Sequence, residues 1–99
     1  MLTQEEVELW IRELHSATVV QCTTGQFSEA HGASGEREYC VWGVLGLVLG
    51  QAPHTYYTAA GAIGRELARM NDSGSSFQEL AQWIEENKEK FSISVLTQV

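Results

Sequence analysis

Two capping boxes, one near each end, constrain this 99-residue chain more than any other feature. Thr3 is followed three residues later by Glu6, and Ser76 by Glu79, so each hydroxyl can accept from the backbone N–H of its glutamate while that glutamate's carboxylate accepts from the backbone N–H of the Thr or Ser. Such boxes write the start of a helix into the sequence. After the first, Leu2 and Val7 occupy hydrophobic-staple positions, and Val7, Trp10, Ile11, Leu14 and Ala17 recur at helical spacing, with Glu5, Glu6, Glu8, Arg12 and Glu13 on the other faces. After the second, Phe77, Leu80, Ala81, Trp83 and Ile84 trace the apolar face of a last helix running to about Lys88.

Between these helices the patterns change. Thr18 to Thr24 is β-branched and reads as a short strand. Gln26 to Glu38 holds glycine, serine and charge without a period and reads as a long surface loop. Tyr39 to Leu49 is the most apolar element, and Gly50 followed by Pro53 ends it as a helix. Thr55 to Met70 reads as one further helix. Gly43, Gly46 and Gly50 share one stripe of the first of these, and Gly61, Gly64 and Ala68 one stripe of the second, so the two should pack through their small faces. Glycine inside a helix costs about 0.5–1 kcal/mol against alanine, so the stripes call for a packing or ligand-access reason. Asn71 to Ser75 reads as a turn in which Asn71 and Asp72 serve local backbone donors. Phe91, Ile93 and Val95 alternate as a strand would. The expected fold is a single compact α+β domain over residues 1–99. It is mostly helical, with about four helices and a small two-stranded sheet formed by the segment near 18–24 and the C-terminal segment near 91–97.

Charge narrows the partners. Six Lys and Arg against 13 Asp and Glu give a formal net charge of −7, and binding nucleic acid through counterion release needs cations in number. Direct nucleic-acid binding is therefore excluded in favour of a basic partner. The run from Val41 to Gly50 is about half the roughly 20 apolar residues a bilayer span needs, so no membrane partner is expected. The start MLTQEEVELW has neither the positive charge nor the apolar core of a secretion signal. These features lead to an expectation of a cytoplasmic chain whose two cysteines, Cys22 and Cys40, stay reduced.

The chemistry-bearing residues each admit a plainer reading. Cys40 at a helix start could be an activated thiol, with His31 or His54 as its base; as a small buried hydrophobe it needs no such role, and the latter is favoured. Cys22, His31, Cys40 and His54 lack the close pairs that chelate zinc, so no metal and no cofactor is expected. Arg65 and Arg69, four apart, could clamp a phosphate or be solvated helix charges with Glu66 nearby. Tyr56, Tyr57, Trp42 and Trp10 could stack on a base, though aromatics at helical spacing are more often core. No phosphate loop, dinucleotide fingerprint, zinc-protease or nucleophile-elbow motif occurs, so an enzyme is not expected.

Two stretches, Tyr39-Cys40-Val41-Trp42-Gly43-Val44-Leu45 and Asn71-Asp72-Ser73-Gly74-Ser75-Ser76-Phe77-Gln78-Glu79-Leu80-Ala81-Gln82-Trp83-Ile84-Glu85-Glu86, together with the lead-in Gln21 to Phe27, resemble a group of small proteins of phages, prophages and some bacteria. Trp42 stands where that group usually has an aliphatic residue, and the stretch after Phe91 extends past the usual end. The resemblance implies a phage protein acting against host defence in the cytoplasm of an infected bacterium, and it supplies no catalytic residues. The expected function is a non-catalytic sponge that sequesters a small anionic, nucleotide-derived immune signal. Its expected ligand residues are Arg65, Arg69, Tyr56, Tyr57, Cys40, Trp42, Gly43, Asn71 and Asp72. The alternative is an acidic inhibitor covering the nucleic-acid groove of a basic host defence nuclease, and a cysteine hydrolase is the weakest reading. Self-association into a homo-oligomer is expected from exposed apolar residues and an available strand edge.

Overall fold

A computed structural model describes residues 2–16, 20–23, 28–31 and 36–91, with the backbone alone for 28–31 and 36. The element order is α1 (Gln4–Ser16), β1 (Val20–Gln21), β2 (Ser28–His31), β3 (Glu36–Tyr39), α2 (Val41–Leu49), α3 (His54–Ala60), α4 (Ala62–Asp72) and α5 (Phe77–Glu86), closed by a 3-10 turn at Lys88–Lys90. This is a mostly helical α+β fold, as the sequence leads one to expect.

Both capping boxes are built as written. Thr3 and Glu6 exchange bonds of 2.8 and 3.1 Å, and Ser76 and Glu79 do the same. α1 then packs its buried Val7, Trp10, Ile11 and Leu14 against α2 and α5. Leu2 closes one end of the core, its N–H donating to the Phe91 carbonyl at 3.3 Å. At the centre Trp10 and Trp42 lie 4.8 Å apart, and Phe91 meets the rings of Trp10, Trp42 and Trp83 within 6.0 Å. Each fully buried indole has its N–H satisfied, Trp10 by the Val41 carbonyl and Trp42 by the Gly64 carbonyl, because an unpaired donor there would be costly.

The helix expected over 55–70 is two helices. Gly61 adopts φ 62° and ψ −129°, a conformation that side chains resist, and the chain restarts as α4 with Arg65 N–H bonded to the Gly61 carbonyl. The glycine stripes do not meet face to face either. The open side of Gly46 is filled by the Gln51 carbonyl and the Pro53 ring, and that of Gly64 by the Tyr57 carbonyl, Ala60 and the edge of Trp42. The small residues thus admit a sharp return after α2 and a tight α3–α4 corner.

The sheet has the order β1-β3-β2. β2 and β3 form an antiparallel hairpin inside the stretch read as loop, and β1 pairs with β3 in parallel, Val20 with Glu38 and Gln21 with Tyr39. Parallel neighbours need a connection long enough to cross over, and here β2 occupies that connection. Among the described residues the partner of β1 is β3. The proposed C-terminal strand falls, after Phe91, outside the described residues, as does Ala17.

Candidate functional site

β1, the start of α2 and the end of α4 converge on one buried carboxamide. Asn71 is fully buried and belongs to the last turn of α4, not to the turn after it. Its Oδ1 accepts from Gln21 Nε2 at 2.9 Å and from the Val41 N–H at 3.1 Å. Its Nδ2 donates to the Cys22 carbonyl at 2.7 Å and to Asp72 Oδ1 at 3.1 Å. Two donors and two lone pairs are the whole capacity of an amide side chain, so Asn71 is saturated. Gln21 Nε2 donates further to the Ser75 carbonyl at 2.7 Å.

The placement has a specific logic. Cys22 N–H bonds the Tyr39 carbonyl at 2.9 Å, continuing the parallel ladder by one rung. The next rung would take the Val41 N–H to the Cys22 carbonyl, but α2 begins at Val41 and leaves the sheet. The Asn71 amide is inserted there, and it satisfies both groups as a peptide unit would. The expectation that Asn71 serves its own turn is corrected accordingly: that turn is closed by backbone bonds from Ser73, Gly74 and Ser75, and the carboxamide works across the fold.

Cys40 caps α2. Its Sγ accepts from the Gly43 N–H at 3.4 Å, and the residue is buried. Burial pushes the thiol up to about 11 despite the backbone N–H groups of Gly43 and Trp42, and the carboxylate of Asp72 and the thiol of Cys22 add to the rise. A thiol so held is protonated at neutral pH, the opposite of an activated nucleophile. His54 is exposed at the start of α3, and the side chain of His31 lies outside the described residues.

The nine residues expected to bind a ligand divide into two groups. Cys40, Trp42, Gly43 and Asn71 are buried at or beside this seam, with Asp72 exposed at its edge. Arg65 and Arg69 are exposed on α4, and Tyr56 and Tyr57 are half-buried on α3. Arg69 is engaged by Glu66, Nε to Oε2 at 2.9 Å; this bond holds the Glu66 carboxyl below its usual range and the guanidinium above its own. Tyr57 stands edge-on to Trp42 at 5.8 Å, and Tyr56 donates to Gln51. Gln21 and Ser75 belong to the seam as well; both fall within the stretches that carry the resemblance but are not among the expected ligand residues, since a lone glutamine and a turn serine carry no periodic signal.

α1 and α5 pack together, and Glu5, Glu8, Glu13, Glu79, Glu85 and Glu86 are exposed on them, with Arg12 exposed on α1 as well and Glu89 just beyond α5. Glu85 pairs with Lys88 at 3.4 Å. Among the described residues, no group of three or more His, Cys, Asp and Glu side chains could hold a metal ion, and no helix is long and apolar enough to cross a membrane.

Comparison with known protein families, curated proteins and solved structures gives no match.

Proposed function

We propose that this chain works by binding, as a phage-type counter-defence protein in the cytoplasm of an infected bacterium, and that its partner is a basic protein surface. The observation that supports this reading is that the packed helices α1 and α5 expose Glu5, Glu8, Glu13, Glu79, Glu85 and Glu86 against the single exposed arginine Arg12, on a chain of net charge −7. A surface of one sign steers an oppositely charged partner and competes with nucleic acid for it. A defence nuclease, whose groove is lined with Lys and Arg, is the partner of matching chemistry. The burial and protonation of Cys40 weigh against the cysteine-hydrolase reading.

The test is inhibition of a panel of such nucleases by the chain and by the triple variant Glu5→Lys, Glu8→Lys, Glu86→Lys, none of which caps a helix. Potency should fall at least tenfold in the variant and should decline with added salt. Equal potency of the two proteins would sink the groove-blocking reading.

A second reading, sequestration of a small nucleotide-type anion, is supported by the α3–α4 corner. There α4 starts at Gly61 with no side-chain cap and no acidic residue in its first turn, Arg65 is exposed one turn on, and Tyr56 and Tyr57 line the preceding helix. Helix starts of this kind favour anions. Calorimetric titration with cyclic and ADP-ribose-type nucleotides decides it: heat lost in Arg65→Ala supports sequestration, and no heat at high micromolar ligand removes it. Assembly of copies through strands at the sheet edges β1 and β2 of the described residues is proposed alongside either reading.

A further inference from the structure

Cys22 and Cys40 occupy matching positions on neighbouring chains. The parallel register pairs Val20 with Glu38 and Gln21 with Tyr39, so the next pair along both chains is Cys22 with Cys40. Cys22 N–H still bonds the Tyr39 carbonyl, and Cys40 is still extended at φ −80° and ψ 178°. The strands part only one step later, where the Asn71 amide enters between the Cys22 carbonyl and the Val41 N–H. Adjacent strands lie about 4.8 Å apart, inside the range of roughly 4.4–6.8 Å that Cα atoms of a disulfide span. Paired residues of a parallel ladder direct their side chains to the same face, and both of these are buried. Neither cysteine is in a disulfide bond, and the two are near enough for Cys22 to bear on the ionisation of Cys40.

We infer that Cys22 and Cys40 form a cross-strand dithiol that closes reversibly to a disulfide and locks β1 to the start of α2. The oxidant is a low-molecular-weight disulfide such as glutathione disulfide. One cysteine, as its thiolate, attacks that disulfide and expels one glutathione thiolate. The second cysteine then loses its proton and attacks the protein-bound sulfur of the mixed disulfide, and the second glutathione leaves. The two protein thiols together give up two electrons and two protons, and one glutathione disulfide becomes two glutathione thiols. Access comes from β1 itself, a two-residue edge strand with Val20 exposed, because short edges open at low cost. Closure is slow at neutral pH, since little of the Cys40 thiol is ionised.

The experiment incubates the folded full chain in glutathione redox buffers, then quenches with acid and maps peptides without reduction. The expected product is a monomer lighter by about 2 Da, with Cys22 linked to Cys40, restored by excess thiol. Its melting temperature should exceed that of the reduced chain by at least about 5 °C. Cys22→Ser and Cys40→Ser should show no such oxidant-dependent rise. Two free thiols in the folded chain, under a buffer that oxidises the urea-unfolded chain, would overturn the inference. So would a product consisting of glutathione adducts or intermolecular dimers alone. The wild-type map stands without the variants, so a variant that fails to fold leaves the result intact.

Discussion

At the scale of single residues, Asn71 and Cys40 show how burial decides what a polar group does. An amide with all four bonds made replaces a missing rung between β1 and α2, and its removal takes away the bonds it makes to the buried Val41 N–H and to the Cys22 carbonyl. Asn71→Ala should cost about 2–4 kcal/mol in urea denaturation, and Asn71→Asp no less, because a carboxylate cannot donate to the Cys22 carbonyl. The Cys40 thiol gives a pH signature. Its value rises from 9.0 to about 11 on folding, so in that window the unfolded chain has lost a proton that the folded chain keeps. The contribution is complete below about pH 9 and is lost as pH climbs through 11. Stability should fall between these limits by about 2–3 kcal/mol more in the wild type than in Cys40→Ala. At pH 7 iodoacetamide should label Cys40 roughly a hundredfold more slowly than a free cysteine.

At the scale of elements, the helix starts were legible and one helix break was not. Capping boxes are local: their bonds span three residues, so the sequence contains all of their physics. Ser76→Ala should cost about 1 kcal/mol, measurable by thermal melting. The break at Gly61 was hidden because Thr55 to Met70 keeps a helical pattern throughout, and the glycine is consistent with either a continuous or a broken helix. Its φ of 62° with ψ of −129° is set by the corner that brings Tyr57 over Gly64. Gly61→Ala should therefore destabilise by about 1–3 kcal/mol, whereas the same change at an unstrained helical glycine would stabilise. Raised or unchanged stability would show that the corner relaxes into a continuous helix. The hairpin of β2 and β3 was missed for a related reason. Ser28–His31 and Glu36–Tyr39 are polar and short, so they offer neither the alternation nor the β-branched content by which a strand is read.

At the scale of the whole molecule, charge and topology act together. Exposed carboxylates from two separate stretches of sequence come onto neighbouring helices because α1 and α5 pack against each other. Like charges so gathered repel, and salt screens them over about 10 Å at 0.1 M. The melting temperature should therefore rise between about 10 and 150 mM salt. The variant Glu5→Gln, Glu8→Gln, Glu86→Gln should lose much of that dependence. A salt-independent wild type would mean that these carboxylates are too dispersed to steer a partner.

The sequence by itself determined the two capped helices, their buried faces at Val7, Trp10, Ile11, Leu14 and at Phe77, Leu80, Ala81, Ile84, the end of α2 at Gly50, and the acidity of the chain. All of these follow from interactions within a few residues or from composition. Tertiary structure alone decided that Gln21, Cys22, Val41 and Asn71 share one hydrogen-bonded seam, that β1 lies beside β3, and that Trp42 covers Gly64. These contacts join groups some 20 to 50 residues apart in the chain. No periodicity records such pairings; they exist because a buried polar group must find a partner wherever the packed core brings one within reach.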